Sequence, residues 1–260
     1  MVIEQALGDV KMKQGRRYIS IGLDLRKKLV SQGFEVGDKI PTEREIAEEY
    51  DVSRTVVREA IIMLELEGLV EVRKGSGVYV TALPGHDDPS SDVVSQFDDG
   101  DIGPFEMLQG RQLVESNVAE LAAHHITKAE IFKLRQALQN EKNALDAGES
   151  SDQYDKEFHL LIAQASKNSF LIEVFELMWS KRNSSKMWQQ LHSHISSSDY
   201  CRKWIDDHGA ILAALQKKDP AGAKRAMWTH LENVKTTLFE LSDVSDEGFD
   251  GYLFESYPLS

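Results

Sequence analysis

The stretch KIPTEREIAEEYDVSRTVVREA, Lys39 to Ala60, decides how this chain is read. Pro41 precedes Thr42-Glu43-Arg44-Glu45, in which Thr42 can cap a helix and Glu45, three residues on, can reach back to the cap backbone. The helix so begun is short and ends near Tyr50. Asp51-Val52 makes a brief turn, and Ser53 is a favourable N-cap for the next helix. There Val56, Val57, Ala60, Ile61, Leu64 and Leu66 form an apolar stripe that runs up to Gly68. Arg54 and Arg58 stand four apart, share one face, and are expected to be exposed.

Upstream, Tyr18 to Gln32 carries Ile19, Leu23, Arg26 and Val30 at helical spacing, with Gly33 as a C-terminal cap. Downstream, Leu69-Val70-Glu71-Val72 and Val78-Tyr79-Val80-Thr81 alternate like strands, and Arg73-Lys74-Gly75-Ser76-Gly77 between them suits a tight hairpin. Helix, capped helix, short turn, arginine-led helix and hairpin make a winged helix-turn-helix over residues 14–82. Such a module lays the start of its second helix in the major groove, so that segment needs hydrogen-bond donors rather than apolar bulk. Ser53-Arg54-Thr55 and Arg58 supply them, Arg44 lies early in the preceding helix, and Lys74 and Gly75 would sit at the wing tip. On an isolated helix, the same arginines would read as a solvated face paired with Glu43, Glu45 and Glu59. The order of the elements favours DNA reading.

Lys39 to Ala47, Val52 to Ala60, Leu64 to Val72 and Gly75-Ser76-Gly77 resemble the GntR family of regulators across the whole module. The resemblance implies that Arg44, Ser53, Arg54, Thr55, Arg58, Lys74 and Gly75 contact double-stranded operator DNA. It also implies a homodimer on a palindromic operator.

The formal net charge of −13 argues at first against nucleic acid, because phosphate contacts supply much of the affinity in such complexes. Its distribution removes the objection. Residues 1–82 hold 13 Lys and Arg against 14 Asp and Glu, whereas the remainder holds 17 against 29. No run of roughly 18 apolar residues offers a membrane span, and Glu4 and Asp9 stand where a signal peptide would need a basic start. Cys201, the only cysteine, excludes an intrachain disulfide and fits a reducing compartment, so a cytoplasmic protein is expected. Its neighbours Tyr200 and Arg202 offer no base, and catalysis by the thiol is not expected.

Residues 83–103, with Pro84, Pro89 and several Ser, Asp and Gly, read as a linker. From there the pattern is helical: Pro104 opens one helix, Thr127 to Glu130 is a second capping box, and Asp219-Pro220 marks a sharp boundary. An antiparallel bundle of six or seven helices over residues 104–242 is expected, followed by a tail at 243–260, so the fold class is mainly α with a small β-wing.

The bundle resembles the FCD class of ligand-sensing domains found in the FadR subfamily. In that class the residues matching Asp155, His159, His208 and His230 hold a divalent metal. Asp155 and His159 lie four apart on one helix face, and the two other histidines lie on later helices. Three imidazoles and one carboxylate suit a Zn, Ni or Mn-like ion and leave positions open for a ligand. His124, His125, His192 and His194 have no match and read as structural or surface residues. Arg111 has Glu115 one turn on, an ordinary i,i+4 pair, but the resemblance places an arginine there for acidic effectors.

Finer matches, including Met187-Trp188, Leu191 to His194, Met227 to Asn233 and Asp250 to Phe254, are similar to the hexuronate-utilisation repressors of the family. They imply a sugar-acid effector held by Arg111 and the metal, with Trp188 lining its cavity. A bundle with an open metal site could instead be a metal-dependent enzyme acting on a sugar acid. No phosphate-binding loop or dinucleotide fingerprint is present, since Gly75-Ser76-Gly77 leads into a strand.

Overall fold

The computed structural model describes residues 17–73, 75–84, 102–193 and 199–241. Lys74, His194, residues 14–16, most of the linker and the tail at 243–260 lie outside the described residues. The chain divides into two compact units that meet at Gly103–Pro104.

The N-terminal unit contains α1 (Arg17–Ser31), α2 (Glu43–Tyr50), α3 (Arg54–Leu66), β1 (Val70–Arg73) and β2 (Gly77–Val80). Gly33, at φ 73°, ends α1 in the left-handed conformation, and the Phe34 N–H reaches back to the Leu29 carbonyl. The expected capping box on α2 is present: Thr42 accepts from the Glu45 N–H, and Glu45 accepts from the Thr42 N–H. α3 is nearly buried all round, and Val57, Ala60, Ile61 and Leu64 on it are buried, as are Tyr18 on α1 and Ile46 on α2. β1 and β2 pair antiparallel with Val70 opposite Val80 and Arg73 opposite Gly77. A single bridge from Lys39 to Tyr79 adds the segment before α2 to this wing, a pairing the sequence pattern does not reveal.

Two expectations are corrected here. Ser53 occupies the N-cap position of α3 without a side-chain cap, because its Oγ lies 2.8 Å from Thr55 Oγ1 instead. Arg54 and Arg58, expected on an exposed face, are 6% and 3% exposed. Glu43 at the start of α2 is the physical reason: it accepts from Arg58 Nε at 2.7 Å and Nη2 at 2.5 Å, and lies 3.7 Å from Arg54 Nη2.

The C-terminal unit is a bundle of α4 (Pro104–His125), α5 (Lys128–Asp146), α6 (Asp152–Ala165), α7 (Ser169–Ser184), α8 (Lys186–Ser193), α9 (Asp199–Gln216) and α10 (Pro220–Leu241). The capping box at Thr127 and Glu130 opens α5 as expected. A core of Ala119, Ala122, Leu134, Phe158, Ile211 and Leu231, among others, joins α4, α5, α6, α9 and α10. Small alanines on α4 let the helices approach closely, and Phe158 fills the centre. No described helix is long and apolar enough to cross a membrane.

Candidate metal centre and nucleic-acid interface

At the centre of the bundle, four side chains from three helices meet. Asp155 and His159 come from α6, one turn apart; His208 comes from α9 and His230 from α10. One ligand atom of each lies within 4.8 Å of all the others. His208 Nε2 is 3.3 Å from both His159 Nε2 and His230 Nε2, and Asp155 Oδ1 is 3.6 Å from His159 Nε2 and 3.5 Å from His208 Nε2.

What makes these distances informative is the other nitrogen of each ring. His159 Nδ1 donates to Glu115 Oε2 at 2.5 Å, and His208 Nδ1 donates to Glu141 Oε2 at 2.8 Å. His230 Nδ1 lies 3.6 Å from Asp207 Oδ2, and Asn233 Nδ2 donates to both oxygens of Asp207. An ionised carboxylate only accepts, so His159 and His208 each place a proton on Nδ1, and the neutral form of each ring turns its Nε2 lone pair into the cluster. Converging lone pairs repel, and a cation placed among them removes the repulsion. Ligands that bind a common ion at about 2.1 Å in tetrahedral array stand roughly 3.4 Å apart, close to the spacings above. A carboxylate hydrogen-bonded behind the imidazole, as at His159 and His208, is also the arrangement that orients histidine ligands in metal proteins. The donor set therefore fits a divalent metal.

Electrostatics agrees. Burial would raise the Glu115 carboxyl, but Arg111 and then His159 hold it well below the usual carboxylate range. For Asp155 burial is again opposed, here by His159, His208, Arg182 and Arg111, and the result is a lowered pKa. Burial and the neighbouring His208 charge push His230 well down, whereas Glu141 overcomes burial and lifts His208 above its ordinary 6.5. The raised His208 pKa means that a proton competes with a metal for the Nε2 of this ring.

Arg111 on α4 is 4% exposed, and its Nε donates to Glu115 Oε1 at 2.6 Å. The i,i+4 pair expected from spacing is present, and through Glu115 it reaches His159, so Arg111 belongs to the cluster's own network. Trp188 on α8 is buried, with Arg182 stacked 4.7 Å from its centroid and His192 5.0 Å away ring to ring. A small, mostly apolar recess lined by Val114, Glu115, His159, Phe175 and Met178 borders the cluster on the side of α7.

Reading by spacing and type missed Glu141 and Asp207 as partners of the histidines, and Arg182 altogether. Glu141 carried a signal, since it sits on the buried stripe of α5 with Leu134, Ala137, Leu138 and Ala144. A lone charge on an apolar stripe needs a partner.

On the N-terminal unit, Arg44, Ser53 and Gly75 are exposed, and Gly75 takes φ 70° at the turn of the wing. Arg54, Thr55 and Arg58 are buried near the start of α3, grouped with Glu43 as described. Lys74 lies outside the described residues.

Comparison with known proteins places both units. Residues 17–80 match the family model "Bacterial regulatory proteins, gntR family", and residues 106–233 match the FCD domain. The chain is similar to the Uxu operon regulator of Haemophilus influenzae, at 51% identity over 94% of this chain and 90% of that one. It is 51% identical to the Uxu operon transcriptional regulator of Escherichia coli, covering 94% of this chain and 95% of the relative. The Exu regulon transcriptional regulator of Escherichia coli is 46% identical, over 94% of this chain and 93% of its own length.

Proposed function

The chain belongs to the GntR family of bacterial regulatory proteins, with an FCD domain after its helix-turn-helix, and from that premise we propose that it represses hexuronate-utilisation genes and leaves its operator when a sugar acid binds at a metal in the bundle. One observation carries the sensing part of this reading: the His159, His208 and His230 Nε2 atoms converge with Asp155 beside the Arg111–Glu115 pair. Asp155, His159, His208 and His230 would hold a Zn, Ni or Mn-like ion, which supplies a Lewis-acidic centre for oxygen ligands. Arg111 adds a guanidinium whose terminal nitrogens can take a carboxylate, its Nε being engaged by Glu115. Relatives named for the Uxu operon and Exu regulon support a hexuronate effector, such as glucuronate, galacturonate or fructuronate.

DNA is taken by Arg44, Ser53, Arg54, Thr55 and Arg58 at the helix-turn-helix and by Lys74 and Gly75 on the wing. Arg54 and Arg58 are held in a buried group by Glu43, so their donors reach phosphates or base edges only once DNA draws them from it. A homodimer in the cytoplasm would read a palindromic operator with two such modules. The family is one of regulatory proteins, so the metal serves to bind the effector, and an enzyme acting on the sugar acid is set aside.

Calorimetric titration of the zinc-loaded protein with the three hexuronates tests the sensing claim. Saturable binding by at least one of them, lost in Arg111→Ala and His208→Ala, is expected. Indifference of the metal-loaded protein to all three would contradict it.

A further inference from the structure

A buried guanidinium besides Arg111 lies close by. Arg182, near the end of α7, is 6% exposed, with its Cζ 4.6 Å from the Trp179 ring centroid and 4.7 Å from that of Trp188. Two indoles therefore bracket it. Trp179 is shared with Arg111, whose Cζ lies 5.3 Å from the same centroid, and Trp188 is shared with His192, at 5.0 Å ring to ring.

Stacking on a ring face positions a guanidinium but satisfies none of its N–H groups. Among the described residues Arg182 bonds only at long range: Nη1 to Asn183 Oδ1 at 3.4 Å and Nη2 to Asp152 Oδ1 at 3.3 Å, against about 2.8 Å for a good charge-assisted bond. Among the described residues its buried Nε has no hydrogen-bond partner, and neither has His192 Nε2. Buried polar atoms are ordinarily paired, and two about a shared indole with no partner among the described residues leave hydrogen-bonding capacity that water or a ligand would fill.

We propose that Arg182 and His192, presented by Trp179 and Trp188, form a second polar subsite that takes the hydroxyl-bearing end of a sugar acid whose carboxylate is held at Arg111 and the histidine cluster. It rests on the sensing function given above and adds the residues that choose among acids. Arg182 Nε–H donates to an oxygen. The His192 Nε2 either donates or accepts according to tautomer, and a hydroxyl does both, so a hydroxylated carbon meets both groups. An acid without hydroxyls leaves them unpaired, and such a mismatch is the strongest discrimination a site can make.

The test uses the full-length, zinc-loaded protein and reads affinity for glucuronate, galacturonate and fructuronate beside that for acetate, with metal content measured on every sample. Arg182→Gln and His192→Gln are expected to weaken the tightest hexuronate by at least about tenfold, retain zinc, and change acetate by less than about twofold. His192 is half-buried on a short helix, so its variant keeps the test open should Arg182→Gln fail to fold. Unchanged hexuronate affinity overturns the subsite, as does an equal loss for hexuronate and acetate, the mark of a merely structural role. Zinc-loaded wild-type protein that binds none of the hexuronates overturns the sensing function and the subsite together.

Discussion

Glu141 stands on the apolar stripe of α5 because His208 needs its carboxylate, and that dependence can be measured. Glu141→Gln keeps the shape but cannot hold the Nδ1 proton as a charged acceptor. Zinc affinity, read by competition with a chelator, is expected to fall roughly 10- to 100-fold; an unchanged affinity would remove Glu141 from the site. The raised His208 pKa gives a pH dependence of definite sign. Metal requires the deprotonated ring, so affinity is full above the folded pKa and falls as pH drops through it, beginning above 6.5. Chelator competition at pH 8 and pH 6 reads this directly. Asp155, His159, His208 and His230 were legible as a set because of their match to a family motif. Their supporting carboxylates were not, because Glu115, Glu141 and Asp207 are distant in sequence from the rings they orient and only folding pairs them.

The capping boxes were the most legible feature at the level of helices and strands, since they depend on residues three apart. Thr127→Ala at the start of α5 is expected to cost about 1 kcal/mol in urea denaturation. Glu130 sharpens the point: burial would raise its pKa, but bonds from Lys167 and Thr127 lower it. A depressed folded pKa means stability present above the unfolded value of 4.5 and lost as pH falls through the folded one. The Thr127→Ala penalty is therefore expected to shrink in acid. At α3 the same sequence logic failed, because Ser53 turns to Thr55 and caps nothing. Ser53→Ala is expected to cost less than about 0.5 kcal/mol. The exposed arginine face failed for a related reason: Glu43, fifteen residues before Arg58, bonds it bidentately across α2 and α3. Glu43→Ala, by breaking a buried pair, is expected to cost about 3 kcal/mol, and a loss under 0.5 kcal/mol would show that the pair is not structural.

For the molecule as a whole, the division of charge and of chemistry coincide. Near-neutral residues 1–82 carry the residues proposed to read DNA, while the acidic remainder carries a cluster in which carboxylates stand beside histidines. Two units of such different composition were visible in the sequence from the Pro-, Ser- and Asp-rich stretch between them. The wing's extra bridge at Lys39 was not, since one pair leaves no periodicity. If the bundle senses a sugar acid through metal and Arg111, the operator should respond to that acid only while metal is present. The direct measurement is binding of the purified protein to the control region of a hexuronate-utilisation operon, against random duplex, with each hexuronate and with or without chelator. The account predicts salt-sensitive preference for the control region, release by at least one hexuronate, and loss of that release after chelation. Binding that shows no preference, or release that persists unchanged without metal, would contradict it.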